Sequence, residues 1–152
     1  MAAIHSSKII LVLSLALSAG CSGKSDKPAA PIPVANPVAS LQKITVKPGS
    51  GAEIGSGQIA VVQYTGWLYE AGATDQKGKQ FDSSRNAGQP FKFSLDTGAV
   101  IKGWDQGVVG MKVGEIRRLI IPPDLAYGDR GAGGVIPPGA TLVFDVELVQ
   151  IG

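Results

Sequence analysis

Hydrophobic residues predict strands in five segments of the chain, either because they alternate with polar residues, as in 90–95 and 141–151, or because they form short runs ended by turn residues. The segments are residues 41–46, 58–69, 90–95, 115–121 and 141–151. In the last of them every even-numbered residue from Leu142 to Leu148 is apolar, whereas Asp145 and Glu147 lie on the other face. The segment Q-I-A-V-V-Q-Y-T-G-W-L-Y, at 58–69, is rich in the β-branched and aromatic residues that favour strands.

One segment has a helical period instead. Ile101, Trp104, Val108 and Met111 recur at spacings of three, four and three, which places them in one stripe of a short helix. Three glycines within residues 100–111 each cost such a helix about 1 kcal/mol relative to alanine, so packing must hold it. The patterns together predict an α+β domain, with about five antiparallel strands wrapped around one short helix.

The N-terminus has the pattern of a processing signal. Lys8 precedes an apolar run at residues 9–17, which is shorter than the roughly 20 residues of a membrane span but suits a secretory signal. The run is followed by L-S-A-G-C, which resembles a bacterial lipoprotein signal and predicts cleavage before Cys21 with lipidation, palmitate included, of that cysteine. The alternative is an ordinary cleaved signal followed by a stray cysteine.

Three regions therefore follow one another along the chain. We predict a lipoprotein signal peptide at 1–20, a lipidated cysteine and proline-rich tether at 21–40, and one folded domain at 41–152. Prolines and small residues in the tether cannot bury a core and favour an extended chain. Ser22 after the cysteine, by resemblance to enterobacterial sorting, indicates the outer membrane, with the domain facing the periplasm.

Composition excludes several kinds of chemistry. The net charge of +2 gives no reason to expect a nucleic-acid partner. His5 and Cys21 are the only histidine and cysteine, and His5 lies in the predicted signal peptide. The mature chain then has no Ser-His-Asp or Cys-His catalysis and no histidine- or cysteine-based metal site, so we expect neither a metal nor a cofactor.

Six blocks in the domain resemble the FKBP-type peptidyl-prolyl cis-trans isomerases. They are V-Q-Y-T-G at 62–66, F-D-S-S at 81–84, P-F-K-F at 90–93, V-I-K-G-W-D at 100–105, A-Y-G at 126–128 and V-I-P-P-G-A-T-L-V-F-D-V-E-L at 135–148. They follow the family's order across residues 42–149. The resemblance implies that residues 41–152 are an isomerase domain with the family's half-barrel, a curved antiparallel sheet of five to six strands around one short helix.

The same resemblance implies a proline-binding pocket. Its catalytic residues would be Asp82, Trp104, Tyr127 and Phe144, and its substrate-binding residues Tyr64, Phe81, Phe91, Val100, Ile101 and Ile136. Trp104 would form the floor, while the Ile101 backbone N–H and the Tyr127 hydroxyl would donate to substrate carbonyls. Without the resemblance, Trp104 is interpreted as core and Asp82 as a turn residue.

The implied activity is that of a rotamase, which accelerates X-Pro rotation during the folding of exported proteins. Its partners would be proline-containing polypeptides, macrolide inhibitors and, through the lipid, a membrane. We expect a monomer, because the short N-terminal segment lacks the long helix through which other secreted relatives dimerise. The alternative function is a non-catalytic chaperone or docking module that binds peptides in the same groove.

Two departures from the family pattern bear on the pocket. Ala87 stands where the family often has an arginine close to the aspartate, which leaves Arg85 as a substitute partner for Asp82. Residues 70–80 form a longer link than in the smallest members, and we expect them to extend a hairpin.

Overall fold

A six-stranded antiparallel sheet and one short helix dominate the computed structural model, which describes residues 38–152. The strands are β1 (Gln42–Lys47), β2 (Ile59–Tyr69), β3 (Lys77–Ser83), β4 (Phe91–Ser94), β5 (Ile116–Ile121) and β6 (Leu142–Ile151). The helices are α1 (Ser84–Ala87) and α2 (Lys102–Val108), and single 3-10 turns cover Thr74–Gln76, Pro123–Leu125 and Gly128–Arg130. The predicted α+β half-barrel is confirmed.

Strand β2 organises the sheet. The strand order is β1-β5-β6-β2-β3, and β4 also pairs with β2. One edge of β2 pairs with β6 from Ala60 to Leu68. The other edge is divided, because β4 pairs with residues 59–62 and β3 with residues 65–69. The two partners leave a gap at Gln63 and Tyr64.

All five predicted strands are present, and each end lies within one residue of its predicted position. Strand β3 was not predicted, because it is an edge strand whose exposed and half-buried residues do not alternate. It follows the 70–80 link, and the expected extended hairpin is formed by β2 and β3. The Gln76 side-chain amide donates to the Tyr69 hydroxyl at 3.2 Å and holds the link against the sheet.

The glycines of α2 allow the helix to approach the sheet closely. A Cβ on Gly107 would lie 2.6 Å from Leu119 Cδ1, and a Cβ on Gly103 would meet the Ile121 side chain. Trp104 and Val108 of the predicted stripe are buried, and so is Met111, beyond the end of the helix. Packing therefore holds a helix whose sequence is intrinsically weak, as the pattern predicted.

A network of charges binds the β2–β3 link to the outer face of the sheet. Lys77 Nζ donates to Asp145 Oδ2 at 2.6 Å, and Arg118 Nε donates to Asp145 Oδ1 at 2.7 Å. Arg118 also pairs with Asp75 at 3.1 Å. Burial alone would raise the pKa of the Asp145 carboxyl, but hydrogen bonds from Arg118 and Lys77 outweigh it and hold that pKa below its usual value.

We expect Asp145→Asn to lower the free energy of unfolding by about 1–3 kcal/mol at pH 7, because Lys77 loses its carboxylate partner and the largely buried Arg118 keeps only the exposed Asp75. A depressed carboxyl pKa contributes stability above the unfolded value of about 3.9, and this contribution is lost as the pH falls through the folded value. Urea denaturation should therefore show a difference from wild type at pH 7 that shrinks below about pH 4.

Glu147→Gln is the matched control for this substitution. Glu147 lies on the same face of β6, but it pairs with an Arg85 side chain that is well exposed. Loss of the Glu147 charge should change the free energy of unfolding by less than about 1 kcal/mol. Equal losses in the two variants would contradict a special role for Asp145.

The N-terminal predictions, namely the signal peptide, Cys21 lipidation and most of the tether, lie outside the described residues. Within residues 38–152, no helix has the length and apolar character needed to cross a membrane.

Candidate active site

A cavity of about 220 Å³ opens where β2, β3, β4, β6 and α2 come together. It is lined by Tyr64, Phe81, Asp82, Phe91, Ala99, Val100, Ile101, Trp104, Tyr127 and Phe144. Nine of these ten residues belong to the set predicted from the sequence, and Ala99 is the addition. The tenth predicted residue, Ile136, is not among the lining residues; it is 6% exposed and packs in the core.

Aromatic rings fix the floor and walls of the cavity. Trp104 is 4% exposed, and its ring meets Tyr64 at 5.0 Å and 83° and Phe144 at 5.3 Å and 88°. Phe81 in turn meets Phe144 at 5.5 Å and 88°. These edge-to-face arrangements are favoured by the ring quadrupoles and hold each ring in place. The buried Trp104 indole N–H has no hydrogen-bond partner among the described residues.

Asp82 anchors the wall that Tyr64 provides. The Tyr64 hydroxyl donates to Asp82 Oδ2 at 2.6 Å, and the Ser83 backbone N–H donates to Asp82 Oδ1 at 2.8 Å. Burial and then the hydrogen bond to Asp82 raise the pKa of Tyr64 well above its ordinary value. The phenol therefore stays protonated at neutral pH and keeps donating to the carboxylate.

The two serines of F-D-S-S close the gap in the sheet at Tyr64. The Tyr64 backbone N–H donates to Ser84 Oγ at 2.9 Å, and Ser83 Oγ donates to the Tyr64 carbonyl at 3.1 Å. Side chains thus replace the strand partner that Tyr64 lacks between β3 and β4. Sequence reasoning assigned these serines no role, although two small hydroxyl residues directly after Asp82 were a signal for local bonds to the backbone.

Two hydrogen-bond donors at the cavity have no partner among the described residues. One is the Ile101 backbone N–H, which immediately precedes α2, where the first N–H groups lack helical acceptors. The other is the hydroxyl of Tyr127, a side chain that is 40% exposed. Burial, followed by the nearby charge of Asp82, raises the pKa of Tyr127, so this hydroxyl also remains a donor at neutral pH.

Arg85 does not take the place of the arginine that the family often has near the aspartate. Its guanidinium donates to Glu147 Oε2 at 2.6 Å, so the prediction of Arg85 as a partner for Asp82 is wrong. Within residues 38–152, no cation lies within ion-pair distance of Asp82. The carboxylate is held by Tyr64 and Ser83 instead.

The fold and the site together define an α+β protein with an open aromatic cavity between an antiparallel sheet and one short helix. Similarity to known proteins identifies the family. The family profile described as "FKBP-type peptidyl-prolyl cis-trans isomerase" matches residues 51–149. The chain therefore belongs to the FKBP-type peptidyl-prolyl cis-trans isomerases, and its enzyme class is that of a rotamase.

Individual relatives agree with this assignment. The chain is 57% identical over 96 residues to FK506-binding protein 2B of Rhizopus delemar, a match that spans 63% of this chain but only 43% of the relative. It is 46% identical over 112 residues to the peptidyl-prolyl cis-trans isomerase Fkbp12 of Drosophila melanogaster, covering 73% of this chain and 97% of the relative. The crystal structure of AtFKBP13 is similar with a TM-score of 0.64 and 41% identity, over 74% of this chain and 93% of that one.

Proposed function

We propose that the cavity binds the proline of an X-Pro segment over Trp104 and turns the bond that precedes it. The observation that carries this proposal is a pair of unpartnered donors, the Ile101 N–H and the Tyr127 hydroxyl, at a cavity walled by aromatic rings. Carbonyl groups flanking a bound proline provide the acceptors that these donors lack.

The chemistry needs no nucleophile and no cofactor. An amide resists rotation by about 18–20 kcal/mol, because resonance stiffens its C–N bond, and X-Pro bonds exchange in tens to hundreds of seconds. A catalyst need only bind the twisted amide more tightly than the planar one. Twisting localises the nitrogen lone pair and reduces the amide dipole, so a water-poor aromatic cavity disfavours the planar form more.

Each catalytic residue has a separate task in this proposal. Trp104 supports the proline ring from below. The Phe144 ring is perpendicular to the Trp104 ring and forms a wall. Tyr127 and Ile101 hold the chain on the two sides of the rotating bond, so that one side turns against the other. Asp82 keeps the Tyr64 ring against Trp104 through the hydroxyl of Tyr64.

The decisive test is the refolding of a protein whose slow phase is limited by proline isomerisation. We expect the wild-type chain to accelerate that phase, and a macrolide of the FK506 type to abolish the acceleration by occupying the same cavity. Tyr127→Phe should lower kcat/KM several-fold, since one donor is lost while the ring remains. No acceleration at micromolar enzyme would favour the peptide-binding module instead.

The cellular setting is a further part of the proposal. We propose that the enzyme acts as a monomer on exported proteins, anchored by acyl chains on Cys21 to the outer membrane and facing the periplasm. The apolar run at 9–17, the L-S-A-G-C sequence and the proline-rich tether support this setting. Several acyl chains on one cysteine give stable anchoring, where a single chain is marginal.

Labelling with palmitate in a bacterial host tests the anchor. Wild type should incorporate the label and sediment with outer-membrane vesicles, whereas Cys21→Ser should do neither. Light scattering of the unanchored Cys21→Ser chain then checks the monomer. Unlabelled wild type in the soluble fraction would overturn the anchor but leave the isomerase proposal standing.

A further inference from the structure

Asp105, the residue after the cavity floor, makes contacts that the mechanism above does not use. Its side chain lies in α2 and is 8% exposed. Oδ1 accepts the backbone N–H of Asp96 at 2.8 Å, and Oδ2 accepts the backbone N–H of Gly98 at 3.0 Å. One carboxylate therefore holds two amides of the loop between β4 and α2, and each oxygen has its own donor.

This loop contains one non-glycine residue in the left-handed backbone region. Asp96 has a φ of 61° and Gly98 a φ of 74°. A non-glycine residue in the left-handed region is uncommon, and surrounding contacts must keep it there. Asp105 supplies two of those contacts, and Thr97 Oγ1 adds a hydrogen bond to the Ser94 carbonyl at 2.9 Å.

The loop continues directly into the wall of the cavity. Ala99, Val100 and Ile101 follow Gly98 and line the cavity, and the unpartnered N–H belongs to the last of them. Trp104 precedes Asp105 by one residue, so the same turn of helix carries the floor and the carboxylate that holds the loop. The Ile101 carbonyl is tied to the helix, because it accepts the backbone N–H groups of Trp104 and Asp105 at 2.9 and 3.3 Å. The Ile101 N–H belongs instead to the peptide that joins Ile101 to the loop, and Asp105 holds that loop through Asp96 and Gly98.

We propose that Asp105 is a positioning residue of the isomerase, which sets the Ile101 N–H relative to the Trp104 ring by accepting hydrogen bonds from Asp96 and Gly98. This rests on the function proposed above. The competing explanation is that Asp105 only fills space under the loop. The two explanations differ in what they require of the side chain, namely two acceptor atoms or a given volume.

Asp105→Asn and Asp105→Glu separate these requirements. Asparagine keeps the size of aspartate but replaces one acceptor by an NH₂ donor, which faces a backbone donor. Glutamate keeps both acceptors but adds a methylene. We expect kcat/KM to fall about tenfold in Asp105→Asn and clearly less in Asp105→Glu, whereas a space-filling role predicts the reverse order.

Hydrogen exchange of individual amides gives a readout that does not depend on turnover. In Asp105→Asn the amides of Asp96 and Gly98 should exchange at least about tenfold faster under native conditions, since their acceptors are weakened. The Leu95 amide, which donates to the Gln58 carbonyl at 2.9 Å, should keep its wild-type rate and serves as the internal control.

Arg117→Met is the matched control for damage to the helix. Arg117 donates to the carbonyls of Gly107, Val109 and Gly110 at 2.9, 3.1 and 3.2 Å, so it holds the other end of the same helix. We expect this variant to melt at a lower temperature, while its folded fraction keeps wild-type kcat/KM and wild-type exchange at Asp96 and Gly98.

Failure of this inference differs from failure of the proposed function. A wild-type chain that does not accelerate isomerisation overturns the function. If the wild type is active, the function stands. The role of Asp105 alone is then overturned if the Asp105→Asn variant has wild-type kcat/KM and wild-type slow exchange at Asp96 and Gly98. An Asp105→Asn variant more active than Asp105→Glu also overturns that role, in favour of space filling.

Discussion

Gly66→Ala is expected to lower kcat/KM at least about tenfold, although residue 66 has no side chain at the cavity. A Cβ at this position would lie 2.7 Å from Phe144 Cε1 and 2.7 Å from Phe81 Cζ. Both rings are cavity walls set at 88° to each other. Neither is the free end of a flexible chain, so the added methyl must displace the rings. Overpacking of this kind also costs about 1–3 kcal/mol of stability.

Gly72→Ala provides the control for Gly66→Ala. It lies in the link between β2 and β3, and a Cβ there would meet no atom within 4 Å. We expect wild-type kcat/KM and a nearly unchanged melting temperature. Kinetics at a temperature where both variants are fully folded separate lost activity from lost stability. A folded Gly66→Ala variant with wild-type kcat/KM would contradict the assignment of Phe81 and Phe144 as walls of the site.

Trp104→Ala is expected to have the largest effect of any single change, about a hundredfold or more in kcat/KM. It removes the floor on which the proline ring is proposed to lie, and with it the edge-to-face contacts of Tyr64 and Phe144. Truncating a buried tryptophan also costs about 3–5 kcal/mol, so the variant is assayed at low temperature. Trp104→Phe keeps an aromatic floor and should retain more activity than Trp104→Ala.

Trp67→Phe is the control for the tryptophan substitutions. Trp67 is the other of the two tryptophans and does not line the cavity; Lys77 lies over its ring at 4.2 Å. Its replacement should leave kcat/KM unchanged. Loss of activity in Trp67→Phe equal to that in Trp104→Phe would show that the assay reports general damage to the sheet rather than loss of the floor.

The fold could be predicted from the sequence wherever burial imposes a period. Residues Leu142–Leu148 alternate because one face of β6 covers the core, and that strand was predicted with nearly correct ends. Strand β3 was not predicted, because it lies at an edge of the sheet and its exposed and half-buried residues follow no period. The glycines of α2 could only be interpreted as a weakness until Leu119 and Ile121 showed which contacts they permit.

The site was predicted from family blocks and not from periodicity. Trp104 illustrates the reason, because its position in a helical stripe and its burial suit a core residue, and it is also the cavity floor. The hydrogen-bond partners of Ser83, Ser84 and Asp105 were not predicted, since these side chains bond to backbone groups left without a strand partner by a gap in the sheet and by the loop after β4. Such gaps exist only once the strands have been placed.

The central claim, that an X-Pro bond turns over Trp104, is tested most directly in the Trp67→Phe chain, where Trp104 is the remaining tryptophan. A proline-containing peptide is titrated while Trp104 fluorescence and the cis–trans exchange rate of the peptide are measured in the same samples. We predict that both change with one midpoint and that an FK506-type macrolide reverses both. Accelerated exchange with unchanged Trp104 fluorescence would contradict the claim.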